Sequence, residues 1–300
     1  MSVAFVVNPA AGRGACGALA ETLPGLLKAR GMDAEVLRTN APEEAVHLAR
    51  GAAQDGRIVV AVGGDGTAHE VVNGIAGTGA RFGLIPAGTG NDLAQAMGIP
   101  ADPAAALDVL VHGRHASFDL GRFDDGWFVN SLGLGFEAQV TAESRRIRRI
   151  RGFAVYLVGL IRALTHLHCP RLDVRIDGER VEERMLLVSI GNGHRVGGGF
   201  LLTPDADPAD GLLDVCLVRA MGRSGVLRML PRALTGKHMG ANGVRMLRAR
   251  QVEITSPDGF PLHADGEIRG MSRKRLSVSV HPGALPVVLP AEKACPAPAR

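Results

Sequence analysis

The chain of 300 residues has 46% hydrophobic residues, 21% charged residues and a net charge of +4 at neutral pH. This balance is typical of a globular protein with one large or two medium domains, and it excludes a disordered chain, a collagen and a coiled coil. The four cysteines form no CxxC pair, which disfavours a zinc site or a disulfide framework and fits a reducing cytoplasm. The slight basic excess lacks interleaved aromatic residues, so no nucleic-acid partner is expected.

The first third of the chain alternates strand-like and helix-like segments. Apolar runs predict buried strands at Val3–Val7, Ala34–Leu37, Ile58–Val62 and Phe82–Pro86. The spacing of apolar residues predicts helices around Leu19–Leu27 and at Pro42–Arg50, Thr67–Ile75, Asn91–Met97 and Pro103–Val111. This βαβα order predicts a parallel sheet covered by helices.

After about Ser117 the pattern changes to short strands. They are predicted at Phe118–Arg122, Trp127–Leu132, Leu172–Ile176, Leu186–Ile190, Leu213–Val218, Val252–Thr255 and Leu276–Val280, with helices near 141–166 and 222–239. We therefore expect an α/β domain over residues 1–117, a mostly β domain over 118–284 and a disordered tail over 291–300. Leu285–Leu289 is a late strand that could return to the first domain.

A glycine-rich loop, Gly63–Thr67, joins the third strand to the helix that follows it. Glycines allow close backbone approach, and a helix N-terminus offers free N–H groups to a phosphate. A carboxylate in such a loop repels phosphate unless a cation lies between them, so Asp65 indicates a magnesium ion held together with a nucleotide. In the alternative interpretation Asp65 only forms a turn and Thr67 only caps the helix.

A second acidic loop, Ala87–Asp92, has the same construction after the fourth strand. Because the carboxyl ends of parallel strands lie at one edge of a sheet, the two loops are expected to converge on one crevice. A third loop contains Gly12–Gly17, which matches the dinucleotide pattern GxGxxG, and Arg38 could serve the 2′-phosphate of NADP. An NADP-dependent oxidoreductase is therefore an alternative, although it leaves both acidic loops unexplained.

An ordered series of motifs extends over about residues 2–290. The series is NPxxG at 8–12, GGDGT at 63–67, GTGND at 88–92, NSLGLGFE at 130–137, GNG at 191–193, GGG at 197–199, DGLLD at 210–214 and DGE at 265–267. It resembles the diacylglycerol kinase catalytic domain, specifically the soluble bacterial lipid kinases. One departure is His69, where many members have Asn before the glutamate.

The resemblance implies a phosphofructokinase/NAD-kinase-like α/β N-terminal domain, a β-sandwich C-terminal domain, and ATP in the cleft between them. It implies that ATP is bound by Asn8, Pro9, Ala10, Ala11, Gly12, Thr39, Gly64, Asp65, Gly66, Thr67, Glu70, Gly88, Thr89, Asn91 and Asp92. It also implies a structural Mg²⁺ on Asp210, with main-chain oxygens near Asp207 and Leu212, and Glu267 as the general base.

Two copies of DGE occur, at 177–179 and 265–267. Phosphoryl transfer needs a carboxylate that accepts the proton of the incoming hydroxyl, and Asp265 and Glu267 flank a glycine, so both are expected to reach one site. The copy ending at Glu179 lies between two alternating segments and is predicted to be a hairpin turn.

A basic run, Arg145–Arg151, precedes the apolar segment Phe153–Ile161. Such a segment could lie on an anionic bilayer and bring a lipid to the site. Alternatively it is a helix packed on the sandwich with a solvated basic end. The first interpretation predicts a cytoplasmic enzyme that is peripheral at the inner membrane face.

We therefore predict an ATP-dependent lipid kinase, most simply one that converts diacylglycerol to phosphatidic acid. The alternatives are a kinase for another lipid alcohol (a sphingoid base, ceramide or monoacylglycerol), an NAD kinase, the oxidoreductase, and a catalytically inactive lipid-binding protein. The sequence leaves the oligomeric state open, a homodimer included.

Overall fold

The computed structural model describes residues 3–54, 57–124, 126–147 and 152–291. The chain forms two units, one of Met1–Phe118 with Ala284–Arg300 and one of Asp119–Gly283. The chain therefore enters the second unit once and returns to the first, as the late strand suggested. Residues 292–300 of the tail expected to be disordered over 291–300 lie outside the described residues, as do the arginines at 148, 149 and 151.

The first unit alternates strands and helices. Its elements are β1 (Val3–Val7), α1 (Ala15–Ala29), β2 (Ala34–Arg38), α2 (Glu44–Gln54), β3 (Ile58–Gly63), α3 (Asp65–Ile75), β4 (Phe82–Pro86), α4 (Asp92–Ala96) and α5 (Pro103–His112). The strands form a parallel sheet in the order β4-β3-β1-β2. This confirms the predicted α/β class.

The central strands β1, β3 and β4 are buried along their whole lengths. Helices cover both faces of a parallel sheet, so such strands are continuous apolar runs, which made them recognisable in the sequence. Three helix starts differ from prediction, and the first is that of α3, which begins at Asp65 and not at Thr67. The α2 helix begins at Glu44, whose carboxylate accepts the N–H groups of Asn40 and Ala41. The α4 helix begins after Asn91, which has a left-handed backbone with φ of 54°.

The second unit is mostly β. Its elements are β5 (Arg114–Phe123, which begins in the first unit), β6 (Gly126–Phe128), β7 (Ser131–Gly135), α6 (Phe136–Arg145), α7 (Phe153–Thr165), β8 (Arg171–Ile176), β9 (Glu179–Gly191), β10 (Leu213–Arg219), α8 (Arg223–Leu234), β11 (Val244–Ala249), β12 (Gln251–Ala264) and β13 (Glu267–Leu289, which ends in the first unit). At that end Val287 pairs in parallel with Phe82 of β4, so the late strand does return to the first sheet.

The strands of the second unit close into a circuit. The β9 strand pairs with β8, β8 with β12, β12 with β7 and β7 again with β9, all antiparallel. Apolar side chains from these strands and from β10 form one core inside the circuit. A second core lies between the outer faces of β9, β10 and β11 and the helices α6–α8. The predicted β-sandwich domain is therefore present, with a helical layer on one side.

Two predicted elements of this unit are wrong in detail. The single strand expected at Trp127–Leu132 is two strands, because the backbone turns at Val129 and Asn130. The long helix expected near 141–166 is two helices, α6 and α7. Within the described ranges no helix is long and apolar enough to span a membrane.

Candidate functional site

The three loops at the carboxyl ends of β1, β3 and β4 lie in direct backbone contact. A Cβ atom at Gly88 would lie 2.3 Å from the Cα atom of Gly64, and one at Gly12 would lie 2.3 Å from the carbonyl oxygen of Ala87. The N–H of Ala87 donates to the carbonyl of Gly63 at 2.7 Å. Only glycine allows these approaches, so the predicted convergence of the loops is confirmed and extends to the loop after β1.

The helix α3 starts at this junction with no side chain on its N-cap residue, Gly64. The first intrahelical bond runs from the N–H of Ala68 to the carbonyl of Gly64, so the N–H groups of Asp65, Gly66 and Thr67 precede it. The interpretation of Thr67 as an N-cap is wrong, because its side chain packs back against Gly63. A helix N-terminus of this kind suits the oxygens of a phosphate.

Asp65 links two of the three loops. Its Oδ1 atom accepts the N–H of Leu93 at 3.1 Å, in the first turn of α4. The N-cap residue of that helix, Asn91, instead accepts the N–H of Gly88 at 2.9 Å, within its own loop. Asp65 therefore orders the second loop as well as placing a negative charge beside the first. Asp92 is buried, whereas Thr89 is exposed at the loop tip.

The remaining predicted nucleotide contacts lie along the same edge of the sheet. The N–H of Asn8 donates to Val62 and the N–H of Thr39 to Val7, so both residues lie where the strands end. Pro9, Ala10 and Ala11 follow Asn8, whose side chain accepts the N–H of Ala10. Glu70 lies one turn into α3. Arg38, which the dinucleotide alternative requires for a 2′-phosphate, donates to Glu21 and to the carbonyl of Ala20.

The two DGE copies form hairpin turns of the same kind. In each, Asp and Gly both have positive φ: 45° and 95° at Asp177 and Gly178, and 48° and 83° at Asp265 and Gly266. The flanking residues pair across the hairpin, Ile176 with Glu179 and Ala264 with Glu267. Two left-handed residues at a two-residue turn define the tight hairpin that Asp-Gly favours. The predicted hairpin at Glu179 is confirmed, and the local motif alone does not distinguish the copies.

Asp265 differs from its expected role. Its side chain is buried, and its carboxylate accepts the N–H groups of Val129, Asn130 and Ser131 at 2.9–3.0 Å. This is the turn that divides β6 from β7. Asp177 does the same for the N–H groups of Arg250 and Gln251. The aspartate of each copy therefore anchors a neighbouring turn, and the expectation that Asp265 shares a reactive site with Glu267 does not fit this geometry.

Glu267 is the more accessible carboxylate of its copy. Its side chain is 31% exposed, and Arg145 at the end of α6 donates to its Oε2 atom. Beside it, the buried His263 accepts the N–H of Gly266 on Nδ1 and lies 3.0 Å from Glu137 Oε1 through Nε2. No sequence signal pointed to Arg145 as a partner of Glu267, because 122 residues separate them.

The segment 205–214 carries the residues expected to hold a structural metal. Asp210 accepts the N–H of Leu212 at 3.0 Å and pairs with Arg248, and Asp207 accepts the N–H of Ala209. Among the described residues no group of three or more His, Cys, Asp and Glu side chains is arranged to hold a metal. The implied site relies instead on one carboxylate and main-chain oxygens.

The electrostatics of this segment fit a cation. The Oδ2 atom of Asp214 is buried without a hydrogen-bond partner and lies 3.9 Å from Arg248 Nε. Burial, with a smaller contribution from the charge of Asp205, raises the pKa of Asp214 to about 6. A divalent cation on the neighbouring main-chain oxygens would offset the cost of burying this carboxylate.

Asp119 organises the same segment and was missed in the sequence. It is buried, and its two carboxylate oxygens accept the N–H groups of Gly211 at 2.6 Å and Gly283 at 2.7 Å. Its own N–H donates to the carbonyl of Pro208. The available signal was an acidic residue between two apolar residues, Phe118 and Leu120.

The helices α7 and α8 present apolar side chains to solvent. Phe153, Leu157 and Ile161 of α7 are 37%, 41% and 55% exposed, and Leu227 of α8 is 54% exposed. Arg223 joins the two helices by donating to the carbonyls of Leu164 and Thr165. Neither helix contains an acidic residue, and together they carry four arginines. We call the exposed side of α7 and α8 the apolar–basic surface.

Comparison with known protein families gives two matches that together cover most of the chain. Residues 2–123 match the model described as the diacylglycerol kinase catalytic domain. Residues 130–289 match the YegS C-terminal NAD kinase beta sandwich-like domain.

Similar proteins carry consistent names. A Mycobacterium tuberculosis H37Rv protein named diacylglycerol kinase is 33% identical over 296 residues, 96% of this chain and 95% of its own length. A Pseudomonas putida KT2440 protein, named probable lipid kinase YegS-like, is 37% identical over 78% of this chain and 77% of its own. A crystal structure titled as a diacylglycerol kinase of Bacillus anthracis str. Sterne has the same fold, with a TM-score of 0.72 at 20% identity over 96% of each chain.

Proposed function

Because the chain belongs to the diacylglycerol kinase family and is an ATP-dependent lipid kinase, we propose that it phosphorylates diacylglycerol to phosphatidic acid. The choice of lipid is supported by the name of the M. tuberculosis relative, which is similar to this chain over nearly its whole length. Kinases for a sphingoid base, ceramide or monoacylglycerol would use the same chemistry and are the alternatives.

The observation that carries the nucleotide site is the junction of three loops around Gly64 and Gly88. We assign the phosphates of ATP to the N–H groups at the start of α3 and to the backbone of the loops 8–12 and 88–92. Thr39 and Glu70 complete the proposed set at the same edge of the sheet. Such a cradle of backbone N–H groups binds phosphate without needing a lysine.

Magnesium is proposed at two places. Beside the phosphates, Asp65 would hold the ion that neutralises the charge on the transferred group, which is the chemistry that Mg²⁺ supplies to phosphoryl transfer. In the second unit, Asp210 with main-chain oxygens near Asp207 and Leu212 would hold a structural ion. The support for the second is the buried Oδ2 atom of Asp214 beside the same segment, which has no hydrogen-bond partner among the described residues.

We assign the general base to Glu267. The lipid hydroxyl oxygen would form a bond to the γ-phosphorus, the bond from that phosphorus to the β,γ-bridging oxygen would break, and ADP would leave with the electron pair. The hydroxyl proton would pass to the Glu267 carboxylate. Arg145 occupies Oε2, and within the described residues no hydrogen bond to Oε1 is present, so Oε1 is the acceptor we propose.

We further propose that the apolar–basic surface contacts an anionic bilayer. Its exposed leucine, isoleucine and phenylalanine side chains suit shallow insertion, and its arginines suit lipid phosphates. Of the basic run before α7, Arg145 is paired with Glu267 and Arg146 with Glu143, and the arginines at 148, 149 and 151 lie outside the described residues.

The direct test of the lipid assignment uses the full chain with radiolabelled ATP and detergent micelles containing one acceptor at a time. The acceptors are diacylglycerol, monoacylglycerol, ceramide and sphingosine, with NAD as a soluble acceptor. We expect label in phosphatidic acid, with kcat/KM for diacylglycerol at least about tenfold above every other acceptor. Preferential label in another lipid would replace diacylglycerol as the substrate, and label in NAD would contradict the assignment to lipids.

A further inference from the structure

The helix α6 approaches the turn before Glu267, and both polar atoms of Gly266 in that turn are hydrogen-bonded, the carbonyl to a residue of α6 and the N–H to a residue of β12. The guanidinium of Arg145 donates through Nη1 to the carbonyl of Gly266 at 3.2 Å and also to Oε2 of Glu267. The N–H of Gly266 donates to Nδ1 of His263 at 3.3 Å. One arginine therefore holds both the backbone before Glu267 and its carboxylate.

The histidine is fixed in turn by a buried glutamate. Because Nδ1 of His263 accepts the N–H of Gly266, Nε2 is the nitrogen that donates to Glu137 Oε1, 3.0 Å away. Both side chains are less than 10% exposed. Gly133 leaves room for this pair, since a Cβ there would lie 2.4 Å from Glu137 Cδ and from His263 Nε2. Glu137 lies in the first turn of α6 and Arg145 in its last. The helix therefore supports the turn directly through Arg145 and indirectly through the bond of Glu137 to His263.

We propose that Arg145 is a positioning residue for the reaction: it holds the Glu267 carboxylate through Oε2 so that Oε1 faces the lipid hydroxyl. This inference rests on the proposed role of Glu267 as the base. A carboxylate on a surface hairpin samples several rotamers, and a proton acceptor displaced by about 1 Å loses much of its effect. A guanidinium bonded to two acceptors on adjacent residues restricts that freedom.

The test compares Arg145→Gln and Arg145→Lys with the parent enzyme in diacylglycerol micelles. The matched control is Arg219→Gln, because Arg219 also pairs with one glutamate, Glu183, at similar exposure. Arg145→Gln is expected to lower kcat about tenfold to a hundredfold and to leave KM for ATP within about twofold. Arg145→Lys should recover part of kcat, since an ammonium reaches one of the two acceptors. Arg219→Gln should match the parent.

A double variant separates this inference from the role of Glu267. If Arg145 acts through Glu267, Arg145→Gln added to Glu267→Gln causes no further loss of kcat. Parent-like kcat in Arg145→Gln, a change in KM for ATP alone, or fully additive losses in the double variant would each overturn the positioning role. Parent-like kcat in Glu267→Gln alone would instead overturn the base assignment on which it rests.

Discussion

Asp65 offers a substitution in which structural and chemical roles separate. Its Oδ1 atom accepts the N–H of Leu93 at 3.1 Å and so caps α4 from another loop. An asparagine in its place keeps an oxygen at that position but removes the negative charge, whereas an alanine removes both. Losing a capping acceptor costs about 1 kcal/mol of unfolding free energy. We therefore expect Asp65→Ala to be destabilised by about that amount and Asp65→Asn by no more than about 0.5 kcal/mol.

Activity should depend on the negative charge of Asp65 and not on its hydrogen bond to the first turn of α4. Both variants should lose at least about a hundredfold in kcat, because the negatively charged ligand to the charge-neutralising ion is absent in each. The assay measures label transfer at saturating Mg²⁺, beside urea unfolding of the same preparations. If kcat of Asp65→Asn lies within a few-fold of the parent value while Asp65→Ala is inactive, the magnesium role is refuted and Asp65 is a structural residue only.

Two further predictions concern the second unit. Replacing Leu157 and Ile161 together by Gln should weaken binding to anionic vesicles about thirtyfold in sedimentation, since each half-exposed side chain contributes about 1 kcal/mol on insertion. The control Val111→Gln, at a similarly exposed residue of α5, should bind like the parent. Equal binding by the parent, the double variant and the control would contradict the role of the apolar–basic surface in membrane binding. Burial lowers the pKa of His238 in the folded protein below the value of 6.5 that it has in the unfolded chain. As pH drops below 6.5, His238 therefore takes up a proton in the unfolded chain before it does so in the folded protein, and the free energy of unfolding falls. His238→Gln should show a smaller fall between about pH 7.5 and about pH 5.5 in urea unfolding, and an unchanged fall would contradict this.

The geometry of the proposed nucleotide site could be predicted from the sequence because its signals are local. Parallel strands with both faces buried are continuous apolar runs, and each acidic loop lies directly between a strand and a helix. The carboxyl ends of such strands share one edge, so the meeting of Gly64 with Gly88 could be predicted. The hydrogen bonds at the start of α4 could not be predicted. Asp65, from another loop, accepts the N–H of Leu93 in α4, whereas the N-cap residue Asn91 accepts the N–H of Gly88 in its own loop.

The second unit was harder because its contacts join distant residues. The two DGE copies have the same turn and a similar aspartate role, and they differ only in what surrounds them. Arg145 bonds to the second copy directly and Glu137 bonds to His263 beside it, but these partners lie more than 120 residues along the chain from α6. The choice of Glu267 over Glu179 as the base came from the resemblance to a family. The burial of Asp265 is explained by its hydrogen bonds to the turn between β6 and β7.

The claim that Glu267 is the base is tested most directly by comparing Glu267→Gln with Glu179→Gln. The two glutamates follow the same Asp-Gly turn and each pairs with an arginine, Arg145 or Arg245, so the substitutions are matched in local structure. Label transfer from ATP to diacylglycerol should fall at least about a hundredfold in Glu267→Gln, since a general base typically contributes that much. Glu179→Gln should retain parent activity. Parent-like transfer by Glu267→Gln, or a larger loss in Glu179→Gln, would contradict the account.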